Sequence, residues 1–373
     1  MKQGICSQWG TVDGPESVKT DDTTDLGRKR VIWIISEGSP GHVSQSVGLA
    51  DALAALVPAT IRQLDCRPRS GGVMRGFIRR CWMGQRARPL PDLLLNHWLR
   101  LERPAKDEPA PDVIIASGGK SVFAARTLAT KQGVPLIFLG ERKPYPATWF
   151  HTTFSPSSFD AASNDIRMDV IPTKISPQIA RQAAAAWTDR PAGRLWTMLI
   201  GGSSRSHHYQ NGDWEQLAEG MTALARREGI RWLVTTSRRS GIKLEDHLRG
   251  LLPPEIVADA VWWCRQPERK LTAYLGAAEK IWVTQDSVSM VTEAVATGKP
   301  TMVIYPVDVE FPLTSFMPGY LDNLEKLGMI LRLPMNGMPE FELQPAAEPD
   351  RPVLTTGVLA EIACQRLGWG FVR

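Results

Sequence analysis

The chain has 373 residues, with 43% hydrophobic and 22% charged side chains and a formal net charge of +5. This composition is typical of a soluble globular protein, and the length exceeds what one core usually contains, so two domains are expected. No apolar run of about 18 residues occurs, which excludes a membrane-spanning helix, and residues 1–28 contain no signal-peptide pattern. We interpret residues 1–28 as a flexible leader and expect a cytoplasmic protein.

The cysteines give no indication of a metal site. Their number is odd and they are widely separated, without the spacing of metal ligands, at Cys6, Cys66, Cys81, Cys264 and Cys364. This pattern suits reduced thiols in a reducing compartment. We predict that the protein contains no metal and no cofactor.

The first predicted unit is a strand at residues 31–35, followed by a glycine-rich turn and a helix. The turn places His42 at the helix start, near the carboxyl end of the strand, where a histidine can act as a general base or contact a phosphate. A histidine that caps or packs against the helix is the alternative. The turn is not GxGxxG, so the pattern does not favour dinucleotide binding.

A basic segment follows a strand at residues 60–65 and belongs to a region that we predict to be helical up to about residue 101. Its arginines stand beside aromatic and apolar side chains and are Arg75, Arg79, Arg80, Arg86 and Arg88. Such a segment can lie on an anionic membrane surface, and it can equally form an ordinary solvated helix. No nucleic-acid-binding motif accompanies it, so no nucleic-acid partner is predicted.

The next two strand ends also carry polar side chains. The strand DVIIAS leads through the turn GGKS into a helix that begins near Lys120 and Ser121. The turn lacks the first part of a phosphate-binding loop, so it does not indicate an ATPase. A strand at residues 134–140 then ends at Glu141. Together with His42, three consecutive strand ends carry candidate site residues.

A proline-flanked helix within residues 172–193 is interpreted as the junction between two domains. The strand after it ends in a loop whose N–H groups, hydroxyls and guanidinium suit a diphosphate, at Gly201, Gly202, Ser203, Ser204 and Arg205. A plain strand-to-helix turn is the alternative, and His207 and His208 are interpreted as solvated loop residues. The next strand ends in a serine and two arginines that can neutralise phosphate charge, at Ser237, Arg238 and Arg239.

Residues 280–305 contain a strand, a loop, a helix, a turn and a second strand, which together form a βαβ unit. A short strand at residues 261–264 and a helix at residues 270–278 precede it. The loop carries polar side chains beside a helix N-terminus, where phosphates and carboxylates bind, at Gln285, Asp286, Ser287 and Ser289. Within the helix, Glu293 is placed to hydrogen-bond a ribose diol, and a solvated surface glutamate is the alternative.

Five segments together resemble the mitochondrial-fission "elongated mitochondria" family: SPGHVSQSVGLADAL, SGGKSVFAARTLA, LIGGSSRSHH, TTSRR and VTQDSVSMVTEAVATGKP. The resemblance runs through most of residues 31–330. That family is in turn similar to GT-B glycosyltransferases, in particular the peptidoglycan enzyme that transfers N-acetylglucosamine from a uridine-diphosphate donor to a lipid-linked acceptor. The resemblance implies an α/β protein of GT-B-like architecture, in which two Rossmann-like domains with parallel sheets face a cleft.

The resemblance divides the chain into domains and assigns roles to its loops. After the leader, residues 29–175 would form an acceptor-side domain and residues 190–350 a nucleotide-sugar domain, with residues 351–373 crossing back as a helix. The GGH and GGS loops of the peptidoglycan enzyme are similar to the loops at His42 and Gly202, although this chain has Gly-Ser-Pro-Gly-His instead of a glycine triplet. Its ribose-binding glutamate matches Glu293.

We therefore predict a metal-independent glycosyltransferase that moves a sugar from a nucleotide diphosphate, expected to be uridine diphosphate, to a lipid-linked or cell-envelope acceptor. His42 is the expected base, with Glu141 in reserve. The other acceptor-side residues are Gly41, Gln45, Gly119, Lys120 and Ser121. The nucleotide-sugar residues are Gly201, Gly202, Ser203, Ser204, Arg205, Ser237, Arg238, Arg239, Gln285, Asp286, Ser287, Ser289, Met290 and Glu293. The alternative is a non-catalytic adaptor of the fission-family type, peripheral on the inner face of the membrane through Arg75 to Arg88.

Overall fold

The computed structural model describes residues 28–69, 99–102, 104–105, 107–142, 144–157, 164–313, 315–342 and 351–371. These residues form two β-sheets with helices packed around them. We refer to the parts built on the first and the second sheet as the N-terminal and the C-terminal domain. The segment from Arg75 to Arg88 and nearly all of the predicted leader lie outside the described residues.

The first sheet has β1 (Arg30–Ser36) near its centre and the strand order β3-β2-β1-β4-β5-β6-β7. All neighbouring strands are parallel except the antiparallel pair β2 and β3. The other strands are β2 (Ala59–Pro68), β3 (Leu99–Leu101), β4 (Val113–Ser117), β5 (Leu136–Leu139), β6 (Thr152–Ser155) and β7 (Asp165–Arg167). The last two were not predicted.

The second sheet repeats the same arrangement with six parallel strands in the order β10-β9-β8-β11-β12-β13. Its strands are β8 (Leu195–Leu199), β9 (Arg231–Thr235), β10 (Val257–Val261), β11 (Lys280–Thr284), β12 (Thr301–Tyr305) and β13 (Leu331–Pro334). In both sheets the order in which strands are added reverses beside the first strand, so the connections on its two sides run in opposite directions, as in Rossmann-like sheets. The predicted α/β class with two parallel-sheet domains is confirmed.

The described residues include nine α-helices, which connect the strands and cover the sheets. They are α1 (Pro40–Leu56), α2 (Val122–Gln132), α3 (Pro177–Ala185), α4 (Asn211–Glu228), α5 (Gly241–Leu251), α6 (Leu271–Ala277), α7 (Val288–Val295), α8 (Met317–Lys326) and α9 (Thr356–Leu367). Helix α1 begins with proline, whose fixed φ suits a first helical turn. No helix in the described part of the chain has the length and apolar character that crossing a bilayer requires.

Strand β1 shows why the central strands are apolar throughout. Ile32 and Ile34 face one hydrophobic cluster, while Trp33 and Ile35 face another on the opposite side of the sheet, and all four are almost fully buried. A parallel sheet that is covered on both faces needs apolar side chains at every position rather than at alternate positions. This explains why VIWII was recognisable as a buried strand.

Two sequence predictions of local structure were wrong. The region predicted to be helical up to residue 101 ends in a strand, because the 99–101 segment pairs with β2 and buries Leu99. The strand predicted at residues 261–264 instead occupies Val257–Val261. Its predicted second half leaves the sheet because the N–H groups of Cys264 and Arg265 bind the buried carboxylate of Glu245 at 2.8 and 3.1 Å.

The end of the chain returns to the N-terminal domain. Helix α9 packs against α1 and β6, and the Arg30 guanidinium lies 5.0 Å from the ring centroid of Trp369. Just before this helix, Arg351 forms an ion pair with Asp169, which follows β7. The Asp169 carboxylate therefore connects the returning segment to the N-terminal domain.

Candidate functional site

The candidate residues lie at the switch points of the two sheets, where the connections from adjacent central strands leave in opposite directions. In the N-terminal domain, the loops after β1 and β4 adjoin because these strands are parallel neighbours. In the C-terminal domain, the loops after β8 and β11 adjoin in the same way. Open parallel sheets bind their ligands at such a crevice beside the carboxyl strand ends.

His42 forms a dyad with Glu37, which sequence reasoning missed. The Nδ1 atom of His42 lies 2.7 Å from Oε1 of Glu37, whose side chain is only 3% exposed. Burial opposes ionisation of Glu37, but the hydrogen bond and charge of His42 and the nearby Lys120 hold its pKa below the ordinary value. An ionised carboxylate only accepts hydrogen bonds, so Nδ1 of His42 donates to Glu37 and Nε2 is the ring nitrogen left for a ligand.

The glycine loop after β4 holds this dyad in place. The second oxygen of Glu37 accepts a hydrogen bond from the Lys120 N–H at 3.0 Å, which ties the loop to the dyad. Gly118 has φ of +86° and packs directly on the imidazole of His42, so any side chain there would displace the ring. The Ser117 hydroxyl donates to Gln45 Oε1 at 2.6 Å, whereas the Ser121 hydroxyl is buried and donates to carbonyls of its own loop.

A cavity of about 370 Å³ opens beside His42. Its polar lining comes from His42, Gln45, the 117–119 loop and Glu141. The exposed Glu141 carboxylate accepts a hydrogen bond from the Ser157 hydroxyl at 2.9 Å. The other lining residues are mostly apolar, and one of them, Phe316, belongs to the C-terminal domain. His42 and Glu141 are therefore brought together at one cavity.

Glu293 lies in a second, narrower pocket where the two domains meet. Gly41, Ser44 and Gln45 line it from the N-terminal domain, and Ser289 and Glu293 line it from helix α7. The domains touch here, since a Cβ on Gly41 would lie 2.7 Å from the Ser289 hydroxyl oxygen. Burial raises the pKa of Glu293 to about 7, and its carboxyl has no hydrogen-bond partner among the described residues. The glutamate therefore faces a pocket between the domains and not bulk solvent.

Asp286 is the centre of a buried network under the second glycine loop. Its carboxylate accepts hydrogen bonds from the Gly202 N–H at 3.1 Å and the Tyr209 hydroxyl at 3.0 Å. Arg239 completes the network with an ion pair to the same carboxylate. Burial raises the pKa of Asp286, whereas Arg239 and the two hydrogen bonds stabilise its charged form. Asp286 thus fixes the positions of the Gly202 loop and of the Arg239 side chain.

The prediction that His207 is a solvated loop residue was wrong. Its side chain is fully buried, and its Nε2 lies 3.1 Å from the amide nitrogen of Gln285. Residues around it pair with the 308–310 segment, and this pairing accompanies the burial of the His207 side chain. Burial, with the charge of Arg239, lowers the pKa of His207 to about 4, so the ring is neutral at neutral pH. His208 is exposed as predicted.

The remaining predicted nucleotide-sugar residues divide by exposure. Gly201 is buried, and its carbonyl accepts hydrogen bonds from the Ser237 and Ser240 hydroxyls. The exposed members of the set are Ser203, Arg205, Arg238, Arg239 and Ser289, while the partly exposed ones include Ser204, Ser287 and Met290. No ion pair of Arg205 or Arg238 occurs within the described residues, so both guanidiniums are open to a ligand. The same residues contain no cluster of three His, Cys, Asp or Glu side chains suited to a metal ion.

Glu37 and Tyr209, which sequence reasoning missed, differ in how far the sequence could have indicated them. Glu37 stands five positions before His42 in the same turn, so an acid following a strand and preceding a histidine was a readable signal. Tyr209 left none, because its hydroxyl reaches Asp286 across 77 positions of sequence.

Solved structures of nucleotide-sugar enzymes share this architecture. A candidate UDP-N-acetylglucosamine 2-epimerase from Listeria monocytogenes is 12% identical, with 91% of this chain and 96% of that chain covered and a TM-score of 0.50. The UDP-GlcNAc 2-epimerase of Methanocaldococcus jannaschii is 11% identical over 92% and 100%, with a TM-score of 0.45. MurG of Acinetobacter baumannii is 13% identical over 83% and 88%, with a TM-score of 0.41. At 12% identity and a TM-score of 0.50, the likeness to the Listeria structure shows a shared fold alone, which agrees with the GT-B-like fold that the motifs implied.

Sequence comparison identifies the family. No curated protein sequence matches the chain. The model of the mitochondrial fission ELM1 family covers residues 40–355, which include the loops at His42, Gly118, Gly202 and Glu293. This confirms the resemblance carried by the five motifs, and the chain belongs to the mitochondrial fission ELM1 family.

Proposed function

We propose that this protein is a glycosyltransferase that moves a sugar from a nucleotide-diphosphate donor, with uridine diphosphate as the expected nucleotide, to an acceptor hydroxyl. The observation that carries the proposal is the dyad of Glu37 and His42, which lines a cavity at the switch point of the N-terminal sheet. A histidine whose Nδ1 proton is held by a carboxylate has a basic Nε2, which is what an acceptor hydroxyl needs.

The donor would bind to the C-terminal domain. The exposed guanidiniums of Arg205 and Arg238 and the N-terminus of helix α7 offer positive charge and N–H groups to a diphosphate. Glu293 would accept hydrogen bonds from the ribose hydroxyls, since it has an unused carboxyl in the pocket between the domains. Glu293 lies about one and a half turns along the same helix from its N-terminus, which suits the separation of a ribose from its diphosphate.

The reaction follows from these positions. The acceptor oxygen attacks the anomeric carbon, its proton passes to Nε2 of His42, and the bond between the anomeric carbon and the diphosphate oxygen breaks. Glu37 stabilises the imidazolium that forms, because its charge lies 2.7 Å from Nδ1. The nucleoside diphosphate leaves with the bonding electron pair, and the arginines and helix N-terminus stabilise its added negative charge.

The compartment and the acceptor belong to the proposal too. We place the protein in the cytoplasm, peripheral to the inner face of the membrane, with an acceptor that is lipid-linked or part of the cell envelope. The family resemblance supports this location, and the basic composition of the segment from Arg75 to Arg88 suits an anionic surface.

The first experiment measures uridine diphosphate binding by calorimetry and hydrolysis of uridine-diphosphate sugars by the purified protein. We expect binding by the wild type, and a loss of turnover of about a hundredfold or more in His42→Gln with binding retained. The matched control is His151→Gln, which changes an exposed histidine beside β6 that lies outside the cavity lining.

Two results would decide against the enzyme. Absence of binding by any nucleoside diphosphate would remove the donor site. Binding without turnover, combined with sedimentation on anionic vesicles that requires Arg75 to Arg88, would favour the non-catalytic adaptor.

A further inference from the structure

The cavity beside His42 has apolar walls. Its inner surface is formed by Phe138, Leu139, Met168 and Ile171, which are buried, and by Tyr145, which stacks on Trp149. A volume of about 370 Å³ is within the range of small-molecule sites, which is about 300 to 1,000 Å³. The cavity is therefore large enough for a ligand body next to the base and not merely for a reacting hydroxyl.

The cavity lining carries negative charge, and Lys120, whose charge acts on Glu37, is not among the described lining residues. Glu141 lines its mouth, and the Glu37 carboxylate lies behind His42. Neither lysine nor arginine lines the cavity among the described residues. Arg142, in the adjoining turn, is buried and forms an ion pair with Asp165 at 2.8 Å. A phosphate in this cavity would lie near the Glu141 carboxylate, and no lysine or arginine among the described lining residues would compensate its charge.

Phe316 contributes the wall that faces the N-terminal domain from across the cleft. It stands at the start of helix α8 in the C-terminal domain and is partly buried. A ligand that fills the cavity would therefore contact both domains. Binding of such a ligand should therefore require Phe316, whereas binding of a donor near Glu293 should not.

We propose, on the basis of the glycosyltransferase function above, that the cavity binds an uncharged amphiphilic acceptor. Its hydroxyl lies at Nε2 of His42, and its apolar body lies against Phe138, Tyr145 and Phe316. The cavity excludes acceptors that carry a phosphate next to the reacting hydroxyl. Any charged group of the acceptor must lie outside the cavity.

The experiment compares two ligands that differ by one phosphate group, octyl glucoside below its micelle concentration and its 6-phosphate, by calorimetry on the full chain. We expect octyl glucoside to bind and the phosphate to bind at least about tenfold more weakly. Phe316→Ala should weaken octyl glucoside binding about fivefold to tenfold. Glu141→Gln should reduce the difference between the two ligands.

The controls separate this proposal from the enzyme proposal. Leu313→Ala changes a fully exposed side chain on the loop before Phe316, outside the cavity lining, and should leave both ligands unaffected. Uridine diphosphate should bind equally to the wild type and Phe316→Ala. Equal or tighter binding of the phosphate, or no octyl glucoside binding by a protein that binds uridine diphosphate, would overturn the acceptor proposal alone. Octyl glucoside binding without nucleotide binding would instead overturn the donor assignment.

Discussion

Two glutamates of the cleft have opposite pKa shifts, and the difference follows from their partners. Glu37 is buried but receives hydrogen bonds from His42 and the Lys120 N–H, so its pKa lies below the ordinary value. Glu293 is partly buried without a hydrogen-bond partner among the described residues, and this burial raises its pKa to about 7. The Glu37 carboxylate is thus stabilised by donors within the protein, whereas the Glu293 carboxylate has no such donors among the described residues. A ribose diol would supply such donors.

This difference predicts the pH dependence of Glu293→Gln. The ordinary pKa of the carboxyl is 4.5, so between that value and 7 the unfolded chain releases the proton while the folded chain retains it. Wild-type stability must therefore fall as pH rises through this window. Denaturant titrations should show that Glu293→Gln gains about 1 to 3 kcal/mol over the wild type near pH 8 and nothing near pH 4.

Ligand binding should change in the opposite direction. Uridine diphosphate affinity should rise as Glu293 ionises near pH 7, because the carboxylate accepts two hydroxyl hydrogen bonds, and the Gln variant should lose this rise. Glu219→Gln, an exposed change on helix α4, provides the control. A Gln variant that is less stable at every pH would show that the carboxylate has a structural partner.

At the scale of elements, adjacent arginines after β9 have different tasks. Arg239 is held by an ion pair to the buried Asp286, which also accepts the Gly202 N–H. Arg238 is exposed and forms no ion pair within the described residues. The strand end thus supplies one arginine to the framework of the glycine loop and one to a ligand. The sequence pattern alone makes the two look equivalent.

Neighbouring substitutions test this division. Arg239→Met should lower the free energy of unfolding by about 2 to 3 kcal/mol, since it leaves a buried carboxylate without its guanidinium. Arg238→Met should change that free energy by less than about 0.5 kcal/mol, yet weaken uridine diphosphate binding about fivefold or more. Thermal denaturation and calorimetry of both variants measure the two quantities. Equal losses of stability would contradict the assignment.

At the scale of the whole molecule, the repeated pattern of apolar strand, glycine turn and helix was enough to predict two parallel-sheet domains. The central strands are buried on both faces, so their apolar composition indicates their structure. The 152–155 and 165–167 strands were missed because they are short and have mixed composition; the second lies at the edge of the sheet and the first beside it. His207 and Tyr209 were misjudged or missed for a related reason, since partners distant in sequence bury them. Glu37 alone was readable locally.

The junction at Asp169 holds three segments that are distant in sequence. Its carboxylate, 1% exposed, accepts hydrogen bonds from Arg351 at 2.6 and 2.7 Å, from the Asn323 amide of helix α8 at 3.2 Å and from the Leu354 N–H at 2.9 Å. Burial opposes its ionisation, but these partners hold its pKa below the ordinary value. One carboxylate therefore joins the N-terminal domain, the C-terminal domain and the returning chain.

Removing either partner of the ion pair between Asp169 and Arg351 should lower the free energy of unfolding of the whole molecule. Arg351→Met should lower the free energy of unfolding by about 2 to 4 kcal/mol, because it leaves the buried Asp169 carboxylate without its guanidinium partner. Asp169→Asn should cost a similar amount, and the double variant should cost clearly less than the sum, because both changes disrupt one interaction.

Arg167→Met is the matched control, since its exposed guanidinium reaches the Asn323 side chain at 3.2 Å without contacting Asp169. It should change the free energy of unfolding by less than about 0.5 kcal/mol. Because the depressed pKa keeps Asp169 ionised down to its folded value, the difference between wild type and Asp169→Asn should persist at neutral pH and disappear only in strong acid. Additive losses in the double variant, measured by urea denaturation, would show that Asp169 and Arg351 stabilise separate parts of the chain.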